Sequence, residues 1–247
     1  MQPRVNFRLV IRYDGRPFCG WQRQKNGLSV QECIETVCEE ICSSRCTAHG
    51  AGRTDAGVHA AGQVASVRVP TELPPRKIRK ALNSLLPPEI RIASVRRAPF
   101  DFHASTDAIS KSYRYLLLTG PVRSPFAPFY AAWTPFKLSV APMREAAGLL
   151  VGRHDFRSFQ ASGSSVRTTE REVLALDVRR GGGLVSIVAS ADGFLRQMVR
   201  IIVGTLIEVG RGKLDPDEVG RILQERDRRL AGPTAPAGGL TLMRVEY

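Results

Sequence analysis

Val173-Leu174-Ala175-Leu176-Asp177-Val178-Arg179-Arg180-Gly181-Gly182-Gly183-Leu184-Val185-Ser186-Ile187-Val188-Ala189 is the stretch on which the fold turns. Val173 to Val178 and Leu184 to Ala189 are short apolar runs of the kind that form strands. The three glycines between them permit a tight reversal of the chain. Strands joined by so short a turn pair antiparallel. A sheet made of hairpins points to an α+β fold rather than to α/β.

Outward from this hairpin, one order of elements occurs twice. In the first half, residues 5–13 alternate as a strand does. Ser29-Val30-Gln31-Glu32 is a capping box, and Val30, Cys33, Ile34, Val37, Cys38 and Ile41 have helical spacing, so a helix is expected to about residue 44. A short strand near 46–49 and a strand from Gln63 to Val69 follow. A helix opens at Pro75, runs through Ile78, Ala81, Leu82 and Leu85, and stops at Pro87-Pro88. Ile90 to Arg96 is a further strand. In the second half, Ser112 to Leu118 is a strand. Ser139 is expected to cap a helix that ends at Gly152. The hairpin comes next, then a long apolar helix from Gly193 to Val209. Asp215-Pro216-Asp217-Glu218 caps another helix, and Leu240 to Val245 is the last strand.

Both halves read β-α-β-β-α-β, the ferredoxin-like order, with one additional helix in the second. The expectation is two ferredoxin-like subdomains, 1–104 and 105–247, joined in the polar, irregular stretch around 99–110. Two such units would set antiparallel sheets side by side with a cleft between them.

Lys and Arg number 36 against 23 acidic residues, a net charge of +13. An excess of this size suits a polyanionic partner, since each neutralised phosphate releases counterions. Arg outnumbers Lys, which favours bidentate phosphate contacts. No apolar run is long enough for a membrane span, and the amino terminus alternates like a strand rather than reading as a signal peptide, so a cytoplasmic location is expected. Cys38, Cys42 and Cys46 recur every fourth residue, which places them on one helix face as small apolar residues. Their spacing is not that of a zinc ribbon or a zinc deaminase, and no metal is expected.

Gly50-Ala51-Gly52-Arg53-Thr54-Asp55-Ala56-Gly57-Val58-His59-Ala60 carries the remaining chemical signal. It is not a dinucleotide loop, because the third glycine is missing and a strand pattern follows. No phosphate-binding P-loop, deaminase or RNA-recognition-motif signature is present. Asp55 among glycines is compatible with a catalytic carboxylate approached closely by a ligand. It is equally compatible with a turn in which Asp bonds its own backbone.

Gly52-Arg53-Thr54-Asp55-Ala56-Gly57-Val58-His59 resembles the signature of the bacterial tRNA pseudouridine synthase A family. The resemblance extends along nearly the whole chain. Tyr13-Asp14-Gly15, Gly20-Trp21-Gln22-Arg23-Gln24, Asp101-Phe102-His103-Ala104 and Tyr113-Arg114-Tyr115 match it in order. So do His154-Asp155-Phe156 with Ser158-Phe159, Met198-Val199-Arg200-Ile201-Ile202-Val203-Gly204, and Gly239-Leu240.

The resemblance implies a pair of ferredoxin-like domains with a catalytic cleft, usually in a homodimer. It implies isomerisation of uridine to pseudouridine at positions 38, 39 and 40 of the tRNA anticodon arm, without cofactor or metal. Asp55 then matches the catalytic aspartate and Tyr113 the tyrosine that stacks on the flipped uracil, with Tyr115 the weaker candidate. Arg53 is placed to enter the RNA helix or hold a phosphate. Arg200, on an apolar helix where an unpaired charge is costly, matches the arginine that supports the aspartate. His59 is as consistent with a structural role as with a contact to RNA. Ser105 departs from the family, which commonly has Arg after Phe-His-Ala; Lys111 or Arg114 could supply the missing backbone contact. The alternative is a non-catalytic RNA-binding protein of the same fold, against which the joint presence of Asp55, Tyr113 and Arg200 speaks.

Overall fold

A computed structural model of the chain describes residues 4–123, 129–163 and 166–247. The class is α+β, with helices and largely antiparallel strands. Its contacts group into two compact units: residues 1–109 with 242–247, and residues 110–241.

The first unit runs β1 (Arg4–Tyr13), α1 (Val30–Cys42), β2 (Ala48–Gly50), β3 (His59–Pro70), α2 (Pro75–Leu85) and β4 (Ile90–Arg97). The strands lie in the order β4-β1-β3-β2, all antiparallel. This is the arrangement expected when two β-α-β units interleave. Phe7, Leu9 and Ile11 alternate to one face of β1, and Val67 and Val69 share that face on β3. Ile34, Val37 and Cys38 of α1 and Ile78 and Leu82 of α2 complete the core. Each fully buried Leu, Ile or Phe contributes roughly 1.5–3 kcal/mol. Ser29 caps α1 as its sequence predicts, its hydroxyl accepting from the Glu32 amide at 3.2 Å. Cys38 and Cys42 lie beside Phe7, Leu9, Ile41 and Val67 as apolar residues, but Cys46, expected on the same helix face, lies beyond the helix end at Cys42, with its thiol donating to the Glu35 carbonyl at 3.8 Å. All five cysteines are free.

The second unit contains β5 (Ser110–Thr119), β6 (Ala132–Thr134), α3 (Val140–Gly148), β7 (Gly152–Asp155), β8 (Glu170–Gly181), β9 (Leu184–Ala191), α4 (Met198–Gly210) and α5 (Pro216–Glu225). A last strand, β10 (Leu240–Glu246), has its residues from Leu242 onward in the first unit. β5, β9, β8 and β7 pair in that order, antiparallel, and β6 runs parallel to β5. The opening hairpin is β8–β9, with Gly182 at φ 56° and Gly183 at φ 81°, the two positive values a type I′ turn needs. Helices α3 and α4 pack together, and Met143 and Ala146 on the first and Ile202 and Leu206 on the second are buried.

Two helix ends differ from expectation. The long apolar helix begins at Met198, not Gly193. The Arg196 carbonyl accepts from the Ala161 amide, the Arg196 guanidinium donates to the Ser162 and Gly163 carbonyls, and Gln197 turns at φ 58°. Tertiary bonds have taken the groups a helix would have used. The Ser139 helix ends at Gly148, four residues before the predicted glycine, and Ser139 supplies no side-chain cap. Its amide donates instead to the Gly210 carbonyl. By contrast α5 starts as predicted, the Glu218 carboxylate accepting from the Asp215 amide at 2.7 Å. Among the described residues no helix is long and apolar enough to cross a membrane.

Candidate active site

The Gly50–Ala60 loop joins β2 to β3 and is held at nearly every residue by groups from outside it. Gly50 lies against the indole of Trp21, so close that a Cβ there would sit 2.4 Å from the ring. The Ala51 amide donates to the Val64 carbonyl at 2.8 Å, and the Gln63 side-chain amide donates to the Gly52 carbonyl at 2.9 Å. The Thr54 hydroxyl meets the Tyr13 hydroxyl at 2.8 Å, while its carbonyl accepts from the Trp21 amide at 3.1 Å. Gly20 forms an isolated antiparallel bridge with Asp55. Its φ of 111° and its approach to the Thr54 carbonyl, 2.5 Å from a hypothetical Cβ, both exclude a side chain.

At the tip, the Val58 amide donates to the Asp55 carbonyl at 3.1 Å, and Gly57 adopts φ 77°. This is a turn with its glycine at the third position, where a type II turn demands positive φ. Asp55 therefore does sit at a turn, but the turn is made by backbone atoms. The Asp55 side chain is half-buried and Arg53 is exposed, while the intervening Thr54 is buried. Ala51, Thr54 and Val58 are buried and anchor the loop, while Arg53 and Ala56 face outward.

Tyr13 is buried among these anchors, and burial pushes its phenol up to about 12, against smaller opposing effects of the Thr54 and Gln63 hydrogen bonds. It remains a neutral hydrogen-bonding group throughout the physiological range. Beyond the turn, His59 is buried, with Nδ1 3.1 Å from the Gly15 amide and 3.2 Å from Asp14 Oδ1. Both contacts cannot be satisfied by one protonation state. A bare Nδ1 accepts from the Gly15 amide, which always carries its proton; an Nδ1 that bears hydrogen, in the imidazolium or in that neutral tautomer, donates to Asp14 instead. Burial opposes ionisation of Asp14, but hydrogen bonds and charge from Arg16, with a contribution from His59, outweigh it and hold the carboxyl below its ordinary range. His59 is thus part of the frame that carries the loop.

Tyr113 and Arg200 belong to the second unit, on β5 and α4. Tyr113 is 7% exposed and meets Phe194 edge-on at 5.1 Å. Arg200 is half-buried; its Nε donates to the Ala235 carbonyl at 2.8 Å, and its own carbonyl accepts from the Ala235 amide. Its charge also reaches Tyr115, whose phenol is nonetheless driven up by burial. Tyr115 is fully buried and donates to the Pro236 carbonyl at 2.9 Å, so it serves the packing of the 235–239 segment. Lys111 is brought below its ordinary range by burial, partly offset by Asp192. Among the described residues no group of three or more His, Cys, Asp or Glu side chains converges as a metal site requires.

Sequence patterns gave the supporting residues no role. Tyr13 entered as the end of a strand and as part of the family resemblance, and Gln63 only as the first residue of another strand. Their signal was indirect: each is a polar side chain at a position whose neighbours in the alternation go into the core.

An α+β fold with one rigidly framed, glycine-shaped loop that presents a carboxylate defines a candidate enzyme. The chain belongs to the tRNA pseudouridine synthase family, whose model matches residues 9–107 and 146–247. A tRNA pseudouridine synthase A of Syntrophotalea carbinolica is 48% identical over 97% of this chain and 95% of its own. Those of Geobacter sp. and Paramagnetospirillum magneticum are 43% and 44% identical over 98% of this chain, and over 98% and 94% of their own. A solved Cbf5-Nop10-Gar1 complex aligns over 96% of this chain and 48% of its own, with a TM-score of 0.40 and 16% identity.

Proposed function

We propose that this chain isomerises uridine to pseudouridine in tRNA, at positions 38, 39 and 40 of the anticodon arm, with Asp55 as the nucleophile. The observation that carries the reading is full-length membership of the tRNA pseudouridine synthase family, with Asp55 presented half-buried on a fixed loop. The reaction is an intramolecular transfer. The bond from the sugar to N1 breaks, the uracil turns, and C5 bonds to the sugar; C5 loses its proton and N1 ends protonated, so nothing is gained or lost overall. A positioned carboxylate can form a covalent intermediate that divides such a step in two.

The reacting base must leave its stack, and an aromatic surface stabilises it once out. Tyr113 is assigned that role and Arg53, exposed beside Asp55, a contact to the RNA backbone. Arg200 is assigned a supporting role. The net charge of +13 supports a polyanionic substrate. By the same family resemblance the enzyme is inferred to work as a homodimer.

The test is to incubate the protein with unmodified tRNA and map pseudouridine by a chemical stop assay. Stops at positions 38, 39 and 40 are expected. Pseudouridine confined to other regions would refute the assigned positions. Tight tRNA binding with no pseudouridine would favour the non-catalytic alternative.

A further inference from the structure

One face of the first unit's sheet lies under α1 and α2; the other is polar. Because Phe7 pairs with Val67 on the helix-covered face, their neighbours Asn6, Arg8, Ser66 and Arg68 point the opposite way, with His49 opposite Ser66. Residues 99–104 cross this polar face as a strap. The Asn6 side-chain amide donates to the Pro99 and Phe102 carbonyls, each at 2.9 Å. The Ala104 amide donates to the Ser66 hydroxyl at 3.2 Å, and the Tyr247 hydroxyl donates to the Ala104 carbonyl at 2.7 Å. The Arg8 guanidinium lies 4.2 Å over the Tyr247 ring.

A strap fixed at so many points also fixes what it displays. Phe100 is 61% exposed although Pro99 and Phe102 on either side of it are anchored. The Arg68 guanidinium sits 4.9 Å from its ring centroid. The His103 and His49 rings meet at 4.9 Å between centroids, tilted by 41°. Arg68 is the permanent positive charge of the cluster; burial first, then the neighbouring His103 and Arg68, hold His49 below its ordinary value against the opposing pull of Glu35, so His49 is a neutral imidazole. Nearby Asp107 is occupied by the His103 amide and the Thr106 hydroxyl. An exposed ring with an arginine against it is suited to stacking a nucleobase, Arg68 is suited to pairing with a phosphate, and a neutral His49 ring N–H can donate to a phosphate oxygen.

We propose that Phe100, Arg68, His49 and His103 form an auxiliary tRNA contact on the first unit, in which an unpaired base stacks on Phe100 and its phosphate meets Arg68 and His49. This rests on the tRNA reading above. The patch binds substrate without taking part in bond making, so it acts on KM.

Steady-state pseudouridine formation on unmodified tRNA tests it. Phe100→Ala and Arg68→Ala should each raise KM roughly tenfold with kcat within about twofold of wild type. Phe100→Trp should keep a near-wild-type KM, and its added emission should be quenched on tRNA addition. For Arg68→Ala the slope of log affinity against log salt should fall by about 1. Alanine variants with KM within twofold of wild type would overturn the proposal. So would variants that change only the protein's own sedimentation, the mark of a self-association patch. If wild-type protein forms no pseudouridine in tRNA, the parent reading fails and the auxiliary contact falls with it; normal wild-type activity with unchanged KM in the variants refutes the contact alone.

Discussion

At Gly181, Gly182 and Gly183 a methyl group would meet no atom within 4 Å, whereas at Gly20 it would meet the Thr54 carbonyl oxygen at 2.5 Å and at Gly50 the Trp21 ring at 2.4 Å. The β8–β9 hairpin and the Asp55 loop are both glycine-rich, yet glycine serves different ends in them. In the hairpin it supplies backbone conformation and nothing lies nearby. Around the Asp55 loop it lets one chain segment press against another. The first use is local and tolerates any residue that accepts the left-handed region. The second is tertiary and fixes the position of a carboxylate.

Substitutions at the two places should therefore separate kinetics from stability. The largest effect is expected at Gly20→Ala, which must push the Thr54–Asp55 backbone away. A displacement near 1 Å costs about 100-fold in rate when it falls on a positioned group, so kcat should drop by that order with tRNA binding retained. A variant with unchanged kcat would break the link between this clamp and the reaction. Tyr13→Phe comes next. It removes the hydrogen bond to Thr54 and should cost about 1 kcal/mol in chemical denaturation, with a several-fold fall in kcat.

Tyr13 also sharpens the comparison through pH. Its phenol is raised from 10.0 to about 12, so the folded state holds a proton that the unfolded state releases. Its contribution is complete below pH 10 and is lost as pH rises through about 12. Tyr13→Phe should lessen the alkaline loss of stability in that window. The smallest effect belongs to the hairpin. Gly182→Ala, at φ 56°, should cost about 1–2 kcal/mol and leave kcat and KM unchanged, while Gly182→Asn should be nearly neutral. A kinetic defect at Gly182 would mean that the hairpin is not the purely local element its open surroundings indicate.

What the sequence made legible follows the same division. The β8–β9 turn, the Ser29 cap of α1 and the Asp215–Glu218 cap of α5 are local devices, readable over three or four residues. The start of α4 was not, because the apolar run from Gly193 continues a helical pattern while its backbone bonds to Ala161. The strands β6 and β7 are three and four residues long and exist through their partners β5 and β8. Asp55 and Arg53 were visible as a motif. The frame of Gly15, Gly20, Trp21, Tyr13 and Gln63 was not visible as a frame, since its members lie up to about 40 residues from the loop and meet only in three dimensions.

The central claim is that Asp55 carries the chemistry, and the C5 proton reports it directly. Because C5 must lose its hydrogen to bond the sugar, tRNA labelled with tritium at uridine C5 releases the label as the reaction proceeds. Wild-type protein should release tritium from the anticodon-arm uridines, and Asp55→Asn should bind the same tRNA with similar affinity and release none above background. Release by Asp55→Asn at a rate near that of wild type would contradict the account.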